Sequence, residues 1–286
     1  MANITLTNAG ELRGLLARHG FTFSKGLGQN FIINPSVCPR MAELGGAGEN
    51  TGILEIGPGV GVLTAELARR ARKVVCVELD ERLFPILEET LADFDNVTLV
   101  RGDIMKIDLA ALIAEHFSGM DAAVCANLPY YITSPVIMRL LEEELPIKSL
   151  TVMVQKEAAR RICAAPGTRD AGAVSIAVRY YSEPRILFEV SRGSFMPPPT
   201  VDSSVIRLDI RAVPAVDCDR KSFFRVVRAC FSLRRKTVLN CLAAGLSLSK
   251  SDAAALLDSA GVSPGARAEQ LTMEQFARIA SALPKC

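Results

Sequence analysis

Ile53-Leu54-Glu55-Ile56-Gly57-Pro58-Gly59-Val60-Gly61-Val62-Leu63-Thr64 is the stretch on which the fold turns. It runs from a short apolar strand through three closely spaced glycines into the start of a helix. Glycine lets a chain turn sharply and approach a bound molecule closely. The spacing is G-x-G-x-G; a dinucleotide site of the G-x-G-x-x-G type would need glycine at position 62, where this chain has valine. Taken alone, such a turn is equally a tight strand-to-helix connection.

Outward from this stretch the same rhythm repeats. Residues 53–56, 73–78, 97–101, 122–126 and 150–155 are short apolar runs separated by amphipathic helical segments. That alternation predicts an α/β fold with a mostly parallel sheet covered by helices on both faces. After residue 180 two further runs, 185–190 and 205–210, are joined by a Pro-rich loop without a helix. They predict an antiparallel addition at the sheet edge and bring the strands to seven. Upstream, 35–43 reads as helix and 23–34 as loop. Pro214 among small and acidic residues at 212–219 reads as a linker. The chain thus divides into an α/β domain, 1–212, and a small all-α domain, 213–286, with helices at 220–231, 236–243, 251–260 and 272–280.

Composition narrows the class. The 286 residues are 49% hydrophobic and 22% charged, as in a globular protein with a substantial core. No run of about 18 apolar residues suggests a membrane span, and residues 1–7 lack the basic and apolar regions of a secretory signal. The eight cysteines form no C-x-x-C pair; Cys76 and Cys125 sit in strand-like runs and read as small core residues. With only His19 and His116 as histidines, both beside expected helix ends, a metal site is not expected and a reducing cytoplasm is. Residues 1–212 carry 22 basic against 25 acidic side chains, and 213–286 carry 11 against 6. The basic excess of the last quarter calls for an acidic partner.

The chemistry gathers at strand ends. Glu78 closes the second strand, 21 positions after Gly57, where a carboxylate accepts both hydroxyls of a ribose. Asp103 closes the third, placed to reach an adenine amino group. The fourth ends in Asn127-Leu128-Pro129-Tyr130. Each acid alone is more simply a surface or capping residue. Together with Gly57 and Gly59, at the carboxyl edge of an open sheet, they point to a nucleoside-plus-amino-acid cofactor; the glycine spacing and the Asn-Leu-Pro-Tyr tetrad favour S-adenosylmethionine over NAD. The tetrad suits methyl transfer to a planar exocyclic amine. The Asn127 side-chain oxygen and the Leu128 carbonyl are placed to accept the amine's two N–H groups, Pro129 brings no competing donor, and the Tyr130 ring offers a stacking surface. The plainer reading, a strand-to-helix turn with Ser134 as N-cap and Pro135 in the first turn, accounts for neither Asn127 nor Tyr130.

These residues carry a resemblance. With Gly28-Gln29-Asn30-Phe31-Ile32, Glu78-Leu79-Asp80, the run from Phe195 to Val205 and Arg267-Ala268-Glu269-Gln270-Leu271, the chain resembles the rRNA adenine N6-methyltransferases over nearly its whole length, most of all the small-subunit rRNA adenine N6,N6-dimethyltransferases. The resemblance implies a Rossmann-like S-adenosylmethionine-dependent methyltransferase domain followed by an RNA-binding helical domain. It implies cofactor contacts from Asn30, Ile32, Gly57, Gly59, Glu78, Asp103 and Asn127. It implies that Asn127, Leu128 and Tyr130 hold the target adenine with Phe195 on its opposite face; the plainer reading of Phe195 is a hydrophobic plug under the Pro-rich loop. The implied partner is rRNA within the small ribosomal subunit or its assembly intermediate, met by a monomer without metal or membrane.

The basic residues fit that partner. Arg220, Lys221, Arg225, Arg228, Arg234, Arg235 and Lys236 lie in one segment free of acids, a density better matched to phosphate contacts than to an ordinary solvated face. Near the Gln-Asn-Phe stretch only Lys25 is basic. Two rival readings remain: a large-subunit rRNA adenine N6-methyltransferase of the macrolide-resistance type, and a non-catalytic nucleic-acid-binding assembly or transcription factor on the same fold.

Overall fold

A computed structural model describes residues 5–24, 26–233 and 235–283. The chain begins with α1 (Ala9–Arg18), capped by the Asn8 side chain, then β1 (Phe31–Ile32) and α2 (Val37–Leu44). The alternation expected from the sequence follows: β2 (Thr51–Ile56), α3 (Val62–Ala68), β3 (Lys73–Glu78), α4 (Phe84–Thr90), β4 (Val97–Arg101), α5 (Leu109–His116), β5 (Asp121–Asn127), α6 (Thr133–Glu142) and β6 (Ile147–Gln155). Next come α7 (Lys156–Ile162), α8 (Ala173–Tyr181), β7 (Ser182–Val190), β8 (Phe195–Met196) and β9 (Ser203–Ile210), and finally α9 (Arg220–Cys230), α10 (Val238–Gly245), α11 (Lys250–Ser259) and α12 (Met273–Ser281).

The seven-stranded sheet has the order β4-β3-β2-β5-β6-β9-β7. Pairs β3–β4, β2–β3, β2–β5 and β5–β6 are parallel, whereas β6–β9 is antiparallel. Strands β2 and β3 are buried at every position but the first, as parallel strands covered on both faces must be. The chain order reverses between β2 and β5, which opens a crevice at the carboxyl ends. Helices α2 and α3 bury Met41, Leu63 and Leu67 in one cluster with Ile53, Val74, Cys76, Ala123 and Cys125.

One expectation fails in the segment read as loop, 23–34. Residues Phe31 and Ile32 form a strand paired antiparallel with Met196 and Phe195. This two-residue ribbon is buried on both sides, Ile32 and Phe195 in the α2–α3 cluster and Phe31 and Met196 in a cluster with Leu12, Leu15 and Ile86. Ser134 is not an N-cap either. A 3-10 turn, Tyr130–Ile132, starts the helix early, so Ser134 falls inside the first turn of α6 and Ile132 takes the cap position.

The chain forms two compact units, 1–159 with 185–210, and 160–184 with 211–286. The second takes in α8 besides the four C-terminal helices. Its core surrounds Phe223 and Phe276, both fully buried, with the Tyr180 ring packed 4.9 Å from that of Phe223. Truncating a buried phenylalanine costs about 3–5 kcal/mol. Helix α9 turns Phe223, Val226, Val227 and Cys230 inward and leaves Arg220, Lys221, Arg225 and Arg228 exposed. Arg235 and Lys236 are exposed as well; Arg234 and Lys25 lie outside the described residues. No described helix is long and apolar enough to cross a membrane, and among the described residues no group of three His, Cys, Asp or Glu side chains is arranged to hold a metal.

Candidate active site

A cavity of about 270 Å³ opens where β2, β3, β4 and β5 end, and its walls include Asn30, Ile32, Gly57, Gly59, Glu78, Asp103, Asn127, Leu128 and Tyr130. The glycine turn shapes its floor. Gly57 has φ +67° and nothing within 4 Å of where a Cβ would stand, so open space lies in front of its backbone. Gly59 has φ +62°, and a Cβ there would come 3.1 Å from the Phe31 ring. A side chain at Gly59 would therefore push the β1 segment off the turn.

Glu78 is 7% exposed. Its Oε1 accepts the backbone N–H groups of Leu79 and Asp80, each at 2.8 Å. Burial raises its pKa, opposed by backbone hydrogen bonds from Asp80, Leu79 and Gly59. Asp80 bonds to Arg82 and accepts Gln29 Nε2 at 2.7 Å, while Gln29 Oε1 accepts the Ser24 N–H at 2.9 Å. The glutamine thus ties the N-terminal segment to the end of β3. Asp103 Oδ1 accepts the Met105 N–H at 2.9 Å and its Oδ2 lies 3.6 Å from Lys106 Nζ.

The orientation of Asn127 is the most telling feature. Its Nδ2 donates to the Asn30 carbonyl at 3.3 Å, and Asn30 Nδ2 donates to the Gly28 carbonyl at 2.9 Å. With its nitrogen committed to the β1 segment, the Asn127 amide has its oxygen as the acceptor for the cavity. Leu128 is held by its N–H to the Met153 carbonyl at 3.3 Å, and the half-buried Tyr130 by its hydroxyl, 2.8 Å from Ser203 Oγ. Neither histidine lines the cavity: His19 lies 2.6 Å from Glu89, and His116 ends α5 beside Glu115.

Phe195 is not brought to this cavity. It is 3% exposed, opposite Ile32, and shares a buried cluster with Met41, Met153 and Val205. Its pairing turns the ring inward, so in this structure it plugs the core and offers no face to a base.

Glu55 lines the same cavity, although its place in the sequence suggests no role for it. It is 1% exposed, accepts the Cys76 thiol at 3.5 Å, and forms no ion pair among the described residues. Burial, helped by the Glu78 charge, lifts its pKa from 4.5 to about 7. A raised carboxyl pKa means that the folded state binds the extra proton. The contribution is fully present below pH 4.5 and is lost as pH rises through about 7. Glu55→Gln is therefore expected to stabilise the ligand-free protein at pH 8 by about 2–3 kcal/mol relative to its effect at pH 5. Thermal melts of both proteins at the two pH values check this; a gap that does not change with pH would mean that Glu55 titrates normally.

A mostly parallel seven-stranded sheet with this carboxyl-edge cavity, in a chain that also forms a helical unit, defines a Rossmann-like S-adenosylmethionine-dependent methyltransferase fold. Residues 20–285 match the model of the ribosomal RNA adenine dimethylase family, and the chain belongs to that family. It is 48% identical over 283 residues to the ribosomal RNA small subunit methyltransferase A of Geobacillus thermodenitrificans, spanning 97% of each chain, and 46% identical to that of Alkaliphilus oremlandii, spanning 96% of each. Among solved structures it is similar to the 23S rRNA methyltransferase ErmE, with TM-score 0.69, 29% identity and coverage of 88% of this chain and 98% of that one. A dimethyladenosine transferase from Plasmodium falciparum gives TM-score 0.71, 25% identity and coverage of 87% and 95%.

Proposed function

We propose that this chain uses S-adenosylmethionine to dimethylate N6 of adenosines in a loop of small-subunit (16S) rRNA, during small-subunit biogenesis. The observation that carries the reading is Asn127, whose amide nitrogen is spent on Asn30 so that an acceptor oxygen meets the cavity beside Leu128 and Tyr130. The chain's residues fit the cofactor: open space stands before Gly57, and a buried carboxylate at Glu78 suits a ribose. Asn30, Ile32, Gly57, Gly59, Glu78, Asp103 and Asn127 would hold it. When bound it supplies a methyl group activated on a sulfonium.

Asn127 Oδ1 and the Leu128 carbonyl accept the adenine N–H groups, and Tyr130 holds the ring. As N6 pyramidalises, its N–H bonds become stronger donors, so these contacts tighten in the transition state. No strong base is required, because the methylated nitrogen is acidic and loses its proton readily; a cavity without histidine is consistent with this. Unstacking the adenine costs a few kcal/mol, less in a loop than in a duplex, and stacking on Tyr130 at about 1–3 kcal/mol offsets part of it.

Arg220, Lys221, Arg225, Arg228, Arg234, Arg235 and Lys236 of the helical unit would contact phosphates. The enzyme would work as a monomer in the cytoplasm. The test is transfer of labelled methyl to unmethylated small and large subunits side by side. Label recovered as N6,N6-dimethyladenosine from small-subunit rRNA is the expected result. Label on large-subunit rRNA alone would move the reading to the other rRNA enzyme class, and tight binding without label would make the chain a binding factor.

A further inference from the structure

The hydrogen bond between the Tyr130 hydroxyl and Ser203 Oγ, 2.8 Å, joins two segments 73 residues apart. Ser203 is fully buried, and its place follows from the sheet. Parallel strands end at the carboxyl edge, whereas β9 runs the other way and begins there. In the register, Asn127 lies beside Met153, Met153 beside Val205, and Gln155 beside Ser203. The first residue of β9 therefore stands just beyond the last residue of β5, level with the tetrad. The strand start is pinned as well. The Asp202 carbonyl accepts the Lys156 N–H at 3.0 Å, and its carboxylate accepts the Arg192 N–H at 2.9 Å.

We propose that Ser203 is a positioning residue for methyl transfer, its buried hydroxyl fixing the direction in which the Tyr130 ring projects into the cavity. This rests on the reading of Tyr130 as a surface that holds the adenine. A phenol oxygen lies on the ring's long axis, so anchoring it selects one χ1 rotamer and leaves the ring free to settle against a base. Tyr130 sits half-buried in a 3-10 turn at the cavity wall, and its neighbour Tyr131 is 55% exposed. Without the anchor the ring would share its time among rotamers, and only one of them supports the base. The cost would fall on orientation at the reacting step and leave cofactor affinity alone.

The test compares the wild type with Ser203→Ala, Tyr130→Phe, the double variant and Tyr130→Ala. Methyl transfer to unmethylated small subunits gives kcat and KM, and calorimetry gives the S-adenosylmethionine Kd. Ser203→Ala and Tyr130→Phe cut the same bond from opposite ends, and the second removes only an oxygen from a half-buried ring. Each is expected to lower kcat about threefold to tenfold. The double variant should lose no more than either single, with the Kd for S-adenosylmethionine unchanged, while Tyr130→Ala loses more than all three. Wild-type kcat in Tyr130→Phe, or losses that multiply in the double variant, would overturn the role of Ser203 while leaving Tyr130's intact. A wild-type rate in Tyr130→Ala would overturn the reading of Tyr130 itself, and that of Ser203 with it.

Discussion

Asn127→Ala is expected to lower kcat for adenine methylation by about 100- to 1,000-fold, the range seen when one preorganised hydrogen-bonding group is removed from a transition-state site. Adenine N6 is a weak nucleophile because its lone pair is delocalised into the ring. Reaction requires that pair to localise as the nitrogen pyramidalises, and acceptors aligned with both N–H groups favour that geometry over the planar ground state. Asn127 Oδ1 is preset for this because Nδ2 is tied to the Asn30 carbonyl at 3.3 Å. Alanine removes the acceptor and also leaves the Asn30 carbonyl without that donor, so a smaller loss in cofactor affinity accompanies the rate loss. Single-turnover transfer at saturating cofactor separates the two. A kcat within tenfold of the wild type at saturation would place the catalytic acceptor elsewhere. Asn127→Asp sharpens the test: it keeps an oxygen but cannot donate to Asn30, so it should recover little of the rate if preset orientation is what matters.

How much of this was visible in the sequence follows from the range of the interactions involved. The strands of the sheet announced themselves because burial on both faces demands continuous apolar runs, as in Val74-Val75-Cys76-Val77. Their ends were less visible: β6 starts at Ile147, but exposed Lys148 interrupts the apolar pattern, so the sequence suggests a later start. The β1–β8 ribbon was hidden. Two residues carry no period, and their partners lie more than 160 positions away. The same distance effect conceals the inward turn of Phe195, which depends on its pairing with Ile32, and the grouping of residues 160–184 with the helical unit. The places of Glu78, Asp103 and Asn127 on the cavity wall are legible because a polar residue at a strand end is a local signal, and that of Gly57 because closely spaced glycines mark a sharp turn. Glu55 stands two residues before the first glycine of the turn, yet only its complete burial sets it apart. Gln29 and Ser203 act through bonds to Asp80 and Tyr130 that no spacing rule connects.

Glu78→Gln should raise the Kd for S-adenosylmethionine by about 100-fold. Each hydrogen bond to a charged group is worth about 1.5–3 kcal/mol, and a ribose diol offers two donors. Glu78 is preorganised to receive them: Leu79 and Asp80 N–H groups hold Oε1 at 2.8 Å, so the carboxylate has one orientation. Glutamine is nearly isosteric, but it has one acceptor oxygen where the carboxylate has two. If that oxygen keeps the backbone bonds, its NH2 group faces the ribose hydroxyls, which must then accept from a neutral donor and lose their bonds to a charged acceptor. If the amide flips, the NH2 group faces two backbone donors in a site that is 7% exposed. The first arrangement gives up the charge-assisted ribose bonds, and the second also leaves backbone donors facing a donor in a buried place. The pH dependence supplies an independent sign. Burial raises the Glu78 pKa above 4.5 in the ligand-free protein, and the ribose donors favour the ionised form. Wild-type affinity should therefore strengthen as pH rises through that raised pKa, and the glutamine variant should lose this component. Glu55, in the same cavity, contributes its own titration near pH 7, so the comparison is best made between Glu55→Gln alone and the Glu55→Gln, Glu78→Gln double variant. Calorimetric titrations across pH should give affinities that slope with pH in the single variant, which keeps the Glu78 carboxylate, and a flat line in the double variant. Equal Kd values for the two proteins at every pH would remove Glu78 from the ribose site and leave its burial, and the two backbone bonds to its Oε1, as a purely structural arrangement at the end of β3.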